Sequence, residues 1–563
     1  MYFISESNMK TISLAKVVLF LILLFAANIA VAVTGGIKKQ FPTPGSCPTG
    51  LTYDGKYLWV ADRKSDSLYQ IDPDNGEVKK ALESPGYQVG GLTMEGKYLW
   101  VLDEEEKAVF KLNPETEIIE KTIYAPCSQP QGLTWDGKYL WVADYRQDEL
   151  FQISTEDGTT ITEHPSPSRS PYGLAYDGRY LWVSDRTDDK IYMVDPQNGN
   201  VIVTFDSPSK FPRGLAYGSE YLWNVDYQSD SLYQIILQDE EPYSRTDGKA
   251  QKLEYTHQVR NYGPGELASL DIYIALPVDL PYQQLLSAPV FEPRPTDFLT
   301  DRWGQEVAHF HYENIPAGGF VTAVMITEAE LFKTRFFIFP EKVGNLSDIP
   351  KEISKLYLSD DTKYWVNDAY IQETVKKVVG DETNCYRIAR KLFNYVIANM
   401  EYELAGGWNV APTVLKRGTG SCSEYSFVYI ALCRAAGLPA RYAGSVVIRG
   451  DDASTDDVFH RWVEVYLPNY GWIPIDPSGG DNATPAAQAS AIGYLNNRFL
   501  ITTIGGGGSE YMEWTYNSNE RWTSKGPCKI YTEHIGEWSP LSDSESMSLN
   551  PGVDPAECKP KKK

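Results

Sequence analysis

The chain reads GTGSCSEY at residues 418–425, FHRWVEVY at residues 459–466 and YGWIPIDP at residues 470–477. In this order the three segments offer a thiol at Cys422, an imidazole at His460 and a carboxylate at Asp476. The thiolate is the nucleophilic form of cysteine, and a histidine oriented by a carboxylate can hold the thiol proton and later return it. The ordered trio therefore indicates nucleophilic catalysis by a cysteine.

The secondary structure around the three groups is predicted from local patterns. A helix is expected to begin at Cys422 and to end near Ala436, because Gly437 suits a C-terminal cap and Pro439 prevents continuation. The N-terminus of such a helix stabilises an anion such as a thiolate. Strands are predicted by alternation and composition at Ala440–Ile448, Phe459–Leu467 and Trp472–Ile475. This order of elements would bring the thiol, the imidazole and the carboxylate to one edge.

Four motifs in this part of the chain resemble the transglutaminase-like core. They are GSC at residues 420–422, RAAGLPAR at 434–441, HRWVEV at 460–465 and GWIPIDP at 471–477. Transglutaminases, bacterial and archaeal cysteine proteases and peptide N-glycanases share this papain-like α+β fold. The resemblance covers about a third of the chain, residues 345–541, and departs from the family pattern at Ser423, where a glycine is frequent.

The resemblance implies one role for each of three residues. Cys422 is the nucleophile, His460 the general base and acid, and Asp476 the carboxylate that orients the imidazole. The backbone N–H of Cys422 is a natural donor to the oxyanion, and Tyr402 and Trp408 are the two candidates for a second donor. A cysteine taken alone is more often a small buried apolar residue, which is how we interpret Cys433. The mechanism requires no metal and no cofactor.

Composition limits the partners and the number of domains. A chain of 563 residues should hold three or four domains, and its formal net charge of −23 with no basic stripe argues against nucleic acid as a partner. The seven cysteines lack metal-ligand spacing and are odd in number, so they do not form a disulfide framework. The sequence leaves undecided whether two of five cysteines form one disulfide bond. These are Cys47, Cys127, Cys385, Cys528 and Cys558.

The first 32 residues are predicted to be a targeting segment. Lys16 precedes the unbroken apolar run Val17–Ala27, and Ala30-Val31-Ala32 fits the small-x-small rule for signal-peptide cleavage. We expect a signal peptide cleaved after Ala32, with an uncleaved N-terminal membrane anchor as the alternative. Either outcome places the bulk of the protein outside the cytoplasm, secreted or at the cell surface.

The N-terminal part of the chain is repetitive. The segment GLTYDGKYLWVAD at Gly50–Asp62 recurs with a period of 41 residues, its first glycine returning at Gly91, Gly132, Gly173 and Gly214. Each repeat holds four short predicted strands, which is the content of one β-propeller blade. The fifth repeat loses its fourth strand, and the orphan segment Ile37–Pro42 matches the missing strand. We therefore predict a closed five-bladed β-propeller at residues 36–238, resembling the NHL and YVTN types.

The repeated side chains of the propeller suggest structural roles in the blades rather than catalytic roles. The repeated tryptophans and tyrosines are interpreted as blade-packing residues. An aspartate ends the second strand of every repeat and either caps a turn or lines a metal or ligand site at one mouth. These aspartates are Asp62, Asp103, Asp144, Asp185 and Asp226. We assign the propeller to binding or positioning an unknown ligand, a protein or a glycan.

The rest of the chain is divided by composition and pattern. A polar linker is predicted at 239–250, an immunoglobulin-like β-sandwich at 251–343, a transglutaminase-like domain at 344–541 and a disordered tail at 542–563. Helices are expected at Ala369–Val379 and Thr383–Met400. His309 and His311 share a strand face, but no third metal ligand is visible near them, so no metal site is predicted.

The sequence thus predicts an exported, multidomain cysteine enzyme. Its fold class is a β-propeller, then a β-sandwich, then an α+β transglutaminase-like domain. Hydrolysis of peptide or carboxamide bonds in a protein or peptide substrate, through a thioester acyl-enzyme, is the first hypothesis. Protein-glutamine cross-linking is the second, and action on a glycan-linked asparagine or a cell-wall peptide is a third. A surface binding or adhesion protein with an inert transglutaminase-like domain is the alternative from another class.

Overall fold

The computed structural model describes residues 34–237, 241–404, 407–482 and 484–541. These described residues form two compact units, one drawn from the ranges 1–163, 170–191 and 205–241 and the other from the ranges 164–169, 192–204 and 242–563. The predicted signal peptide at 1–32 and the predicted tail at 542–563 lie outside the described residues. Within the described part, no helix has the length and apolar character needed to cross a membrane.

The N-terminal part forms five four-stranded antiparallel sheets, as the repeat predicts. The first two are β2 Pro48–Tyr53, β3 Leu58–Asp62, β4 Ser67–Ile71 and β5 Val78–Glu83, then β6 Val89–Glu95, β7 Tyr98–Asp103, β8 Ala108–Asn113 and β9 Ile118–Tyr124. The next two are β10 Pro130–Trp135, β11 Leu140–Asp144, β12 Glu149–Ile153 and β13 Thr160–Pro165, then β14 Pro171–Tyr176, β15 Leu181–Asp185, β16 Lys190–Val194 and β17 Val201–Asp206. The fifth is β18 Pro212–Gly218, β19 Tyr221–Asp226 and β20 Ser231–Ile236 with β1 Ile37–Pro42.

The N-terminal strand closes the ring of blades, as the orphan segment predicts. β1 pairs antiparallel with β20, with Phe41 opposite Leu232. The last blade also approaches the first closely, since a Cβ atom built on Gly214 would lie 2.5 Å from the backbone nitrogen of Leu51. Only glycine permits that approach. β1 therefore completes the fifth blade as its outer strand.

The repeated tryptophans and aspartates have the structural roles that their positions suggest. All five tryptophans are buried, and Trp59 donates its indole N–H to Asp54 at 2.9 Å. The carboxylate of Asp62 accepts the backbone N–H groups of Lys64, Ser65 and Cys47 at 3.1, 2.8 and 2.6 Å. Its oxygens are therefore engaged by backbone donors, and the interpretation of these aspartates as turn caps is confirmed.

A nine-stranded sheet follows the propeller. Its long strands are β21 Tyr243–Ala275, β25 Glu306–Ile315, β26 Phe320–Phe336 and β35 Ser518–Pro540. Its short strands are β22 Gln283–Leu285, β23 Val290–Glu292, β24 Asp297–Thr300, β30 Thr455–Asp456 and β33 Tyr494–Leu495. β21 and β35 bend near Asn261–Gly265, where their register shifts, so each strand contributes to two layers. Buried residues of both layers, among them Leu253 and Ile272, share one apolar core.

Two predicted boundaries are wrong in this region. β21 begins at Tyr243, so most of the predicted linker 239–250 is strand. β35 pairs with β21 from Gln251 to Ile274, so the sandwich includes residues 518–540, which the sequence assigns to the catalytic domain at 344–541. The local sequence pattern predicts only a short strand at Cys528–Tyr531. The pairing of β35 with β21 joins residues roughly 260 positions apart, and a local pattern does not detect such pairing.

The transglutaminase-like region combines helices with a small sheet. Its helices are α1 Lys351–Tyr357, α2 Ala369–Val379, α3 Cys385–Asn399, α4 Ala411–Arg417, α5 Cys422–Ala435 and α6 Pro485–Ala489. Its strands are β27 Glu401–Tyr402, β28 Thr419–Gly420, β29 Ala440–Val447, β31 His460–Leu467, β32 Gly471–Ile475 and β34 Phe499–Gly505. The last four form an antiparallel sheet in the order β32-β31-β29-β34. The helices and strands predicted around the site are confirmed to within two residues.

Helix α5 is the centre of this region. All its residues from Cys422 to Arg434 are buried, and Gly437 follows with a φ of +80°, as expected of a C-terminal cap. The buried guanidinium of Arg434 donates to the carbonyl of Ala440 from two nitrogens, at 3.1 and 2.8 Å. This contact fixes the end of α5 against β29. All six cysteines of the described residues are free thiols, and Cys433 is fully buried.

Candidate active site

Cys422 is the first residue of α5, and its side chain is 8% exposed. The backbone N–H of Ser421, at the N-cap, donates to the carboxylate of Glu424 at 3.4 Å. Glu424 is fully buried and is held by Arg417 at 2.6 Å. This arrangement fixes the first turn of α5, so the sulfur of Cys422 lies where the partial positive charge of the helix favours a thiolate.

His460 and Asp476 come from neighbouring strands. His460 begins β31 and Asp476 directly follows β32, and the two strands pair antiparallel with Val463 opposite Ile475. His460 Nε2 and Asp476 Oδ2 lie 2.8 Å apart. The other carboxylate oxygen of Asp476 accepts the backbone N–H of Ser478 at 3.1 Å and its hydroxyl at 2.7 Å. The carboxylate is therefore fixed on both oxygens, and it holds the imidazole in one orientation.

The thiol of Cys422 lies within hydrogen-bond reach of His460. Burial by itself disfavours the thiolate, but the hydrogen bond and positive charge of His460 outweigh burial and lower the pKa of the Cys422 thiol. The backbone N–H and the guanidinium of Arg461 add to this effect. Since Nε2 of His460 is engaged by Asp476, Nδ1 is the nitrogen left for the sulfur.

The imidazole of His460 is stabilised in its charged form. Burial disfavours the imidazolium, but the charge and hydrogen bond of Asp476, followed by those of Cys422, raise the pKa of His460 to about 10. Burial is also outweighed at Asp476, where His460 lowers the pKa of the carboxyl. These shifts favour a thiolate–imidazolium pair beside a carboxylate, the combination that nucleophilic attack by sulfur requires.

A family model matches this part of the chain. Residues 372–477 match the transglutaminase-like superfamily, a range that includes Cys422, His460 and Asp476. This part of the chain is a transglutaminase-like domain.

Two relatives match short parts of the chain. An uncharacterized protein of Haemophilus influenzae is 27% identical over 138 residues, which is 20% of this chain and 37% of that protein. The uncharacterized protein YebA of Bacillus subtilis is 34% identical over 71 residues, which is 11% of this chain and 10% of that protein. The chain thus spans well under two thirds of the length of either relative.

Two solved structures are similar to parts of the chain. A candidate cysteine protease of Cytophaga hutchinsonii has a TM-score of 0.37 and 13% identity, with 53% of this chain and 100% of that chain covered. The glutaminyl cyclase of Myxococcus xanthus has a TM-score of 0.33 and 15% identity, with 36% of this chain and 96% of that chain covered.

The transglutaminase-like domain contains a buried cation that the sequence did not single out. The guanidinium of Arg461 is fully buried, and its only hydrogen bond among the described residues runs from Nη2 to the carbonyl of Trp514, at 2.6 Å. No carboxylate of the described residues forms an ion pair with it. Its central carbon instead lies 4.3 to 5.4 Å from the ring centroids of Tyr516, Tyr442, Trp408 and Phe427. We call these four rings the aromatic cage.

The buried charge of Arg461 acts on the thiol of Cys422. A buried cation without an ion pair is costly unless a nearby anion or π-face compensates it. The charge of Arg461 helps to lower the pKa of the Cys422 thiol, after the larger effect of His460.

Replacing Arg461 with methionine is expected to raise the pKa of the Cys422 thiol by about one unit, since one nearby cation is lost. Alkylation rates of Cys422 between pH 5 and 9 would measure the shift. Arg461→Lys retains the charge and is the matched control, expected to titrate like the wild type. A loss of thermal stability with an unchanged thiol pKa in Arg461→Met would contradict this role and leave Arg461 only a packing residue.

Three aromatic residues of this region bear on the earlier predictions, and two of them belong to the aromatic cage. Burial, then the negative charges of Cys422 and Asp476, raises the pKa of Tyr402, so its hydroxyl remains a neutral donor near the sulfur. Trp408 belongs to the aromatic cage and is 39% exposed. Tyr516 was missed by sequence analysis because it lies far from the motifs, and its hydroxyl lies near Ser423, the position where the family pattern favours glycine.

A cavity of about 380 Å³ opens beside the imidazole. Its lining includes both His460 and Asp476, whose side chains are 21% and 28% exposed, but not Cys422. The wall is apolar at Trp462 and Phe499. Arg498 stands at the rim as an exposed cation that forms no ion pair with the described residues. The cavity therefore leaves the imidazole accessible to solvent or to part of a substrate.

Proposed function

We propose that the protein is an exported cysteine peptidase that cleaves peptide or carboxamide bonds through a thioester acyl-enzyme. The observation that carries the proposal is the placement of Cys422 at the start of α5 near His460, whose imidazole is hydrogen-bonded to Asp476 beside an open cavity. A thiolate at a helix N-terminus, an imidazolium within reach and a fixed carboxylate are the parts that acyl transfer needs. Export rests on the apolar segment at residues 1–32.

The proposed reaction has two halves. In the first, the sulfur of Cys422 attacks the carbonyl carbon, the C–N bond breaks, and His460 gives its proton to the departing amine. In the second, water attacks the thioester, His460 takes a proton from the water, and the C–S bond breaks to release a carboxylic acid. The backbone N–H of Cys422 and the hydroxyl of Tyr402 are the proposed donors to the oxyanion.

The lining of the cavity favours hydrolysis over cross-linking by lysine. A lysine side chain that resolves the thioester would enter the cavity beside His460 as a cation and would be stabilised by a free carboxylate. Asp476 is the carboxylate of the lining, and it is already bonded to His460. Arg498 at the rim repels a cationic acceptor and attracts an anionic one. We therefore propose peptide substrates with an acidic residue on the leaving-group side.

This preference can be tested by replacing Arg498 with alanine. The variant is expected to lose about 5-fold in kcat/KM for peptides with an acidic residue after the cleaved bond, because a rim ion pair contributes roughly 1 kcal/mol. Peptides with a neutral residue at that position are the control and should be cleaved at the wild-type rate. Equal changes in kcat/KM for both peptides would show that Arg498 does not recognise the charge of the substrate.

The reaction class is tested by incubating the full chain with a peptide panel and a primary amine probe. Mass spectrometry then distinguishes new carboxyl termini from incorporated amine, with Cys422→Ala as the blank. Cleavage without amine incorporation supports the peptidase. Amine incorporation into glutamine that exceeds hydrolysis would replace it with cross-linking. If neither product exceeds the blank, the inert-domain alternative gains support, and binding by the propeller becomes the function to measure.

A further inference from the structure

The β-sandwich holds a cluster of two imidazoles and one carboxylate far from the thiol in sequence. His257 lies on β21 directly opposite His534 on β35, so both imidazoles belong to one layer. Glu520 lies on the part of β35 that pairs with Ile272 of β21, which places it in the other layer. The three side chains converge because the two layers pack face to face. Their nearest ligand atoms all lie within 4.8 Å of one another.

The geometry of the cluster suits an ion better than a hydrogen bond. Oε2 of Glu520 lies 3.5 Å from Nε2 of His257 and 4.0 Å from Nε2 of His534. Both separations are too long for good hydrogen bonds. Two ligand atoms that are each about 2.0–2.1 Å from one tetrahedral ion stand roughly 3.4 Å apart. The observed spacing therefore fits a shared ion after a small adjustment of side chains.

Both Nε2 atoms also lack partners among the described residues. His257 is fully buried, and neither its Nε2 nor that of His534 has a hydrogen bond. An unpartnered buried nitrogen is costly, and each such atom in a folded protein calls for an explanation. Here both unpartnered nitrogens face the same carboxylate oxygen. A bound cation would satisfy all three atoms at once.

The atoms that do not face the cluster centre are held by neighbours. Nδ1 of His257 hydrogen-bonds to the hydroxyl of Ser518 at 2.9 Å. The second oxygen of Glu520 accepts the hydroxyl of Thr532 at 2.8 Å. Metal-binding histidines and carboxylates are oriented in this way by hydrogen bonds to their outer atoms. Burial also lowers the pKa of both imidazoles, which favours the neutral form that can bind a metal.

A second cluster in the sandwich is different. Asp271 lies between His309 and His311, and its Oδ1 stands 2.8 and 2.7 Å from their ring nitrogens. These are hydrogen-bond distances, so protons already occupy the space between the atoms. The hydrogen bond to Asp271 raises the pKa of His311 and favours its charged form, in which neither ring nitrogen has a lone pair free for a metal. Asp271 is thus the third group near His309 and His311 that the sequence did not reveal. It is already engaged in an ion pair with these histidines.

We propose that His257, Glu520 and His534 bind a divalent first-row transition-metal ion, with Zn²⁺ as the fitting probe. Two imidazole nitrogens and one carboxylate oxygen are ligands that such ions accept. His534 is 32% exposed and Glu520 20%, so solvent can reach a fourth position. The ion would join the two layers of the sandwich and hold β35 against β21.

The test is a Zn²⁺ titration of the full chain carrying Cys422→Ala, which removes the reactive thiol as a competing ligand. Calorimetry is expected to give about one ion per chain, and saturating Zn²⁺ should raise the unfolding temperature. Glu520→Gln and His534→Gln should each weaken binding by more than about 100-fold, since each removes a direct ligand. His311→Gln alters the second cluster and is the matched control, expected to bind like the parent.

Cobalt offers a readout that needs no further variant. Co²⁺ in the parent chain should show the intense visible absorption of a tetrahedral site without a sulfur charge-transfer band. Absence of stoichiometric Zn²⁺ binding would overturn the proposal. Binding that survives both Glu520→Gln and His534→Gln, binding lost in His311→Gln, or a sulfur band with Co²⁺ would overturn it as well.

Discussion

Replacing Cys422 with alanine is expected to reduce peptide hydrolysis by about 10⁴-fold or more. The sulfur forms the acyl-enzyme, so its removal eliminates the covalent route and leaves only binding and the oxyanion donors. The fold should persist, because Cys422 lies at the first position of α5 and alanine is compatible with a helix N-terminus. The loss would be measured as kcat/KM on the best peptide of the panel, with circular dichroism to verify folding.

Cys528→Ala provides the matched control for this experiment. Cys528 is a half-buried free thiol on β35, in the sandwich and outside the site. Its replacement is expected to leave kcat/KM unchanged. Residual activity of Cys422→Ala near the wild-type level, or a comparable loss in Cys528→Ala, would be incompatible with Cys422 as the nucleophile.

Replacing His460 with alanine is expected to slow alkylation of Cys422 by at least about 30-fold at pH 7. In the wild type, His460 lowers the pKa of the thiol, so we expect a much larger thiolate fraction at this pH than in the variant. Without the imidazole, burial raises the pKa of the thiol instead, and a thiol of ordinary pKa near 8.5 is only about 3% ionised at pH 7. Limiting iodoacetamide with peptide mass analysis would give the rates from pH 5 to 9.

The pH dependence of Cys422 alkylation distinguishes the wild type from His460→Ala. In the wild type, alkylation should stay fast as pH falls, until the thiolate is protonated at its lowered pKa. In His460→Ala, alkylation should rise steeply with pH throughout the range. Hydrolysis by the wild type should also decline on the alkaline side as the imidazolium loses its proton, at a pKa of about 10. Cys528 in the same samples is the internal control, and its alkylation rate should not depend on His460.

Equal alkylation profiles in the wild type and in His460→Ala would contradict a thiolate–imidazolium pair. Together with an inactive peptide panel, that result would favour the binding function of the propeller. Slow alkylation of Cys422 in both proteins would point to the same conclusion, since the 8% exposed sulfur would then be inaccessible to reagents in the folded chain.

The sequence by itself determined the features that depend on local order. The 41-residue repeat predicted the five blades. The orphan strand Ile37–Pro42 predicted that the N-terminus completes the last blade and closes the ring. Helix α5 and the strands that carry His460 and Asp476 were predicted closely, because caps, alternation and turn residues act within a few positions. Cys422, His460 and Asp476 were selected as a group because their motifs lie within about 60 residues of one another.

Only the tertiary structure decided the features that join distant parts of the chain. The pairing of β35 with β21 and the cage around Arg461 both link positions without shared local pattern. The cluster of His257, Glu520 and His534 exists because two strands bend and contribute to both layers. A local pattern records which face of an element is apolar, whereas the identity of the partner is set by packing of the whole chain.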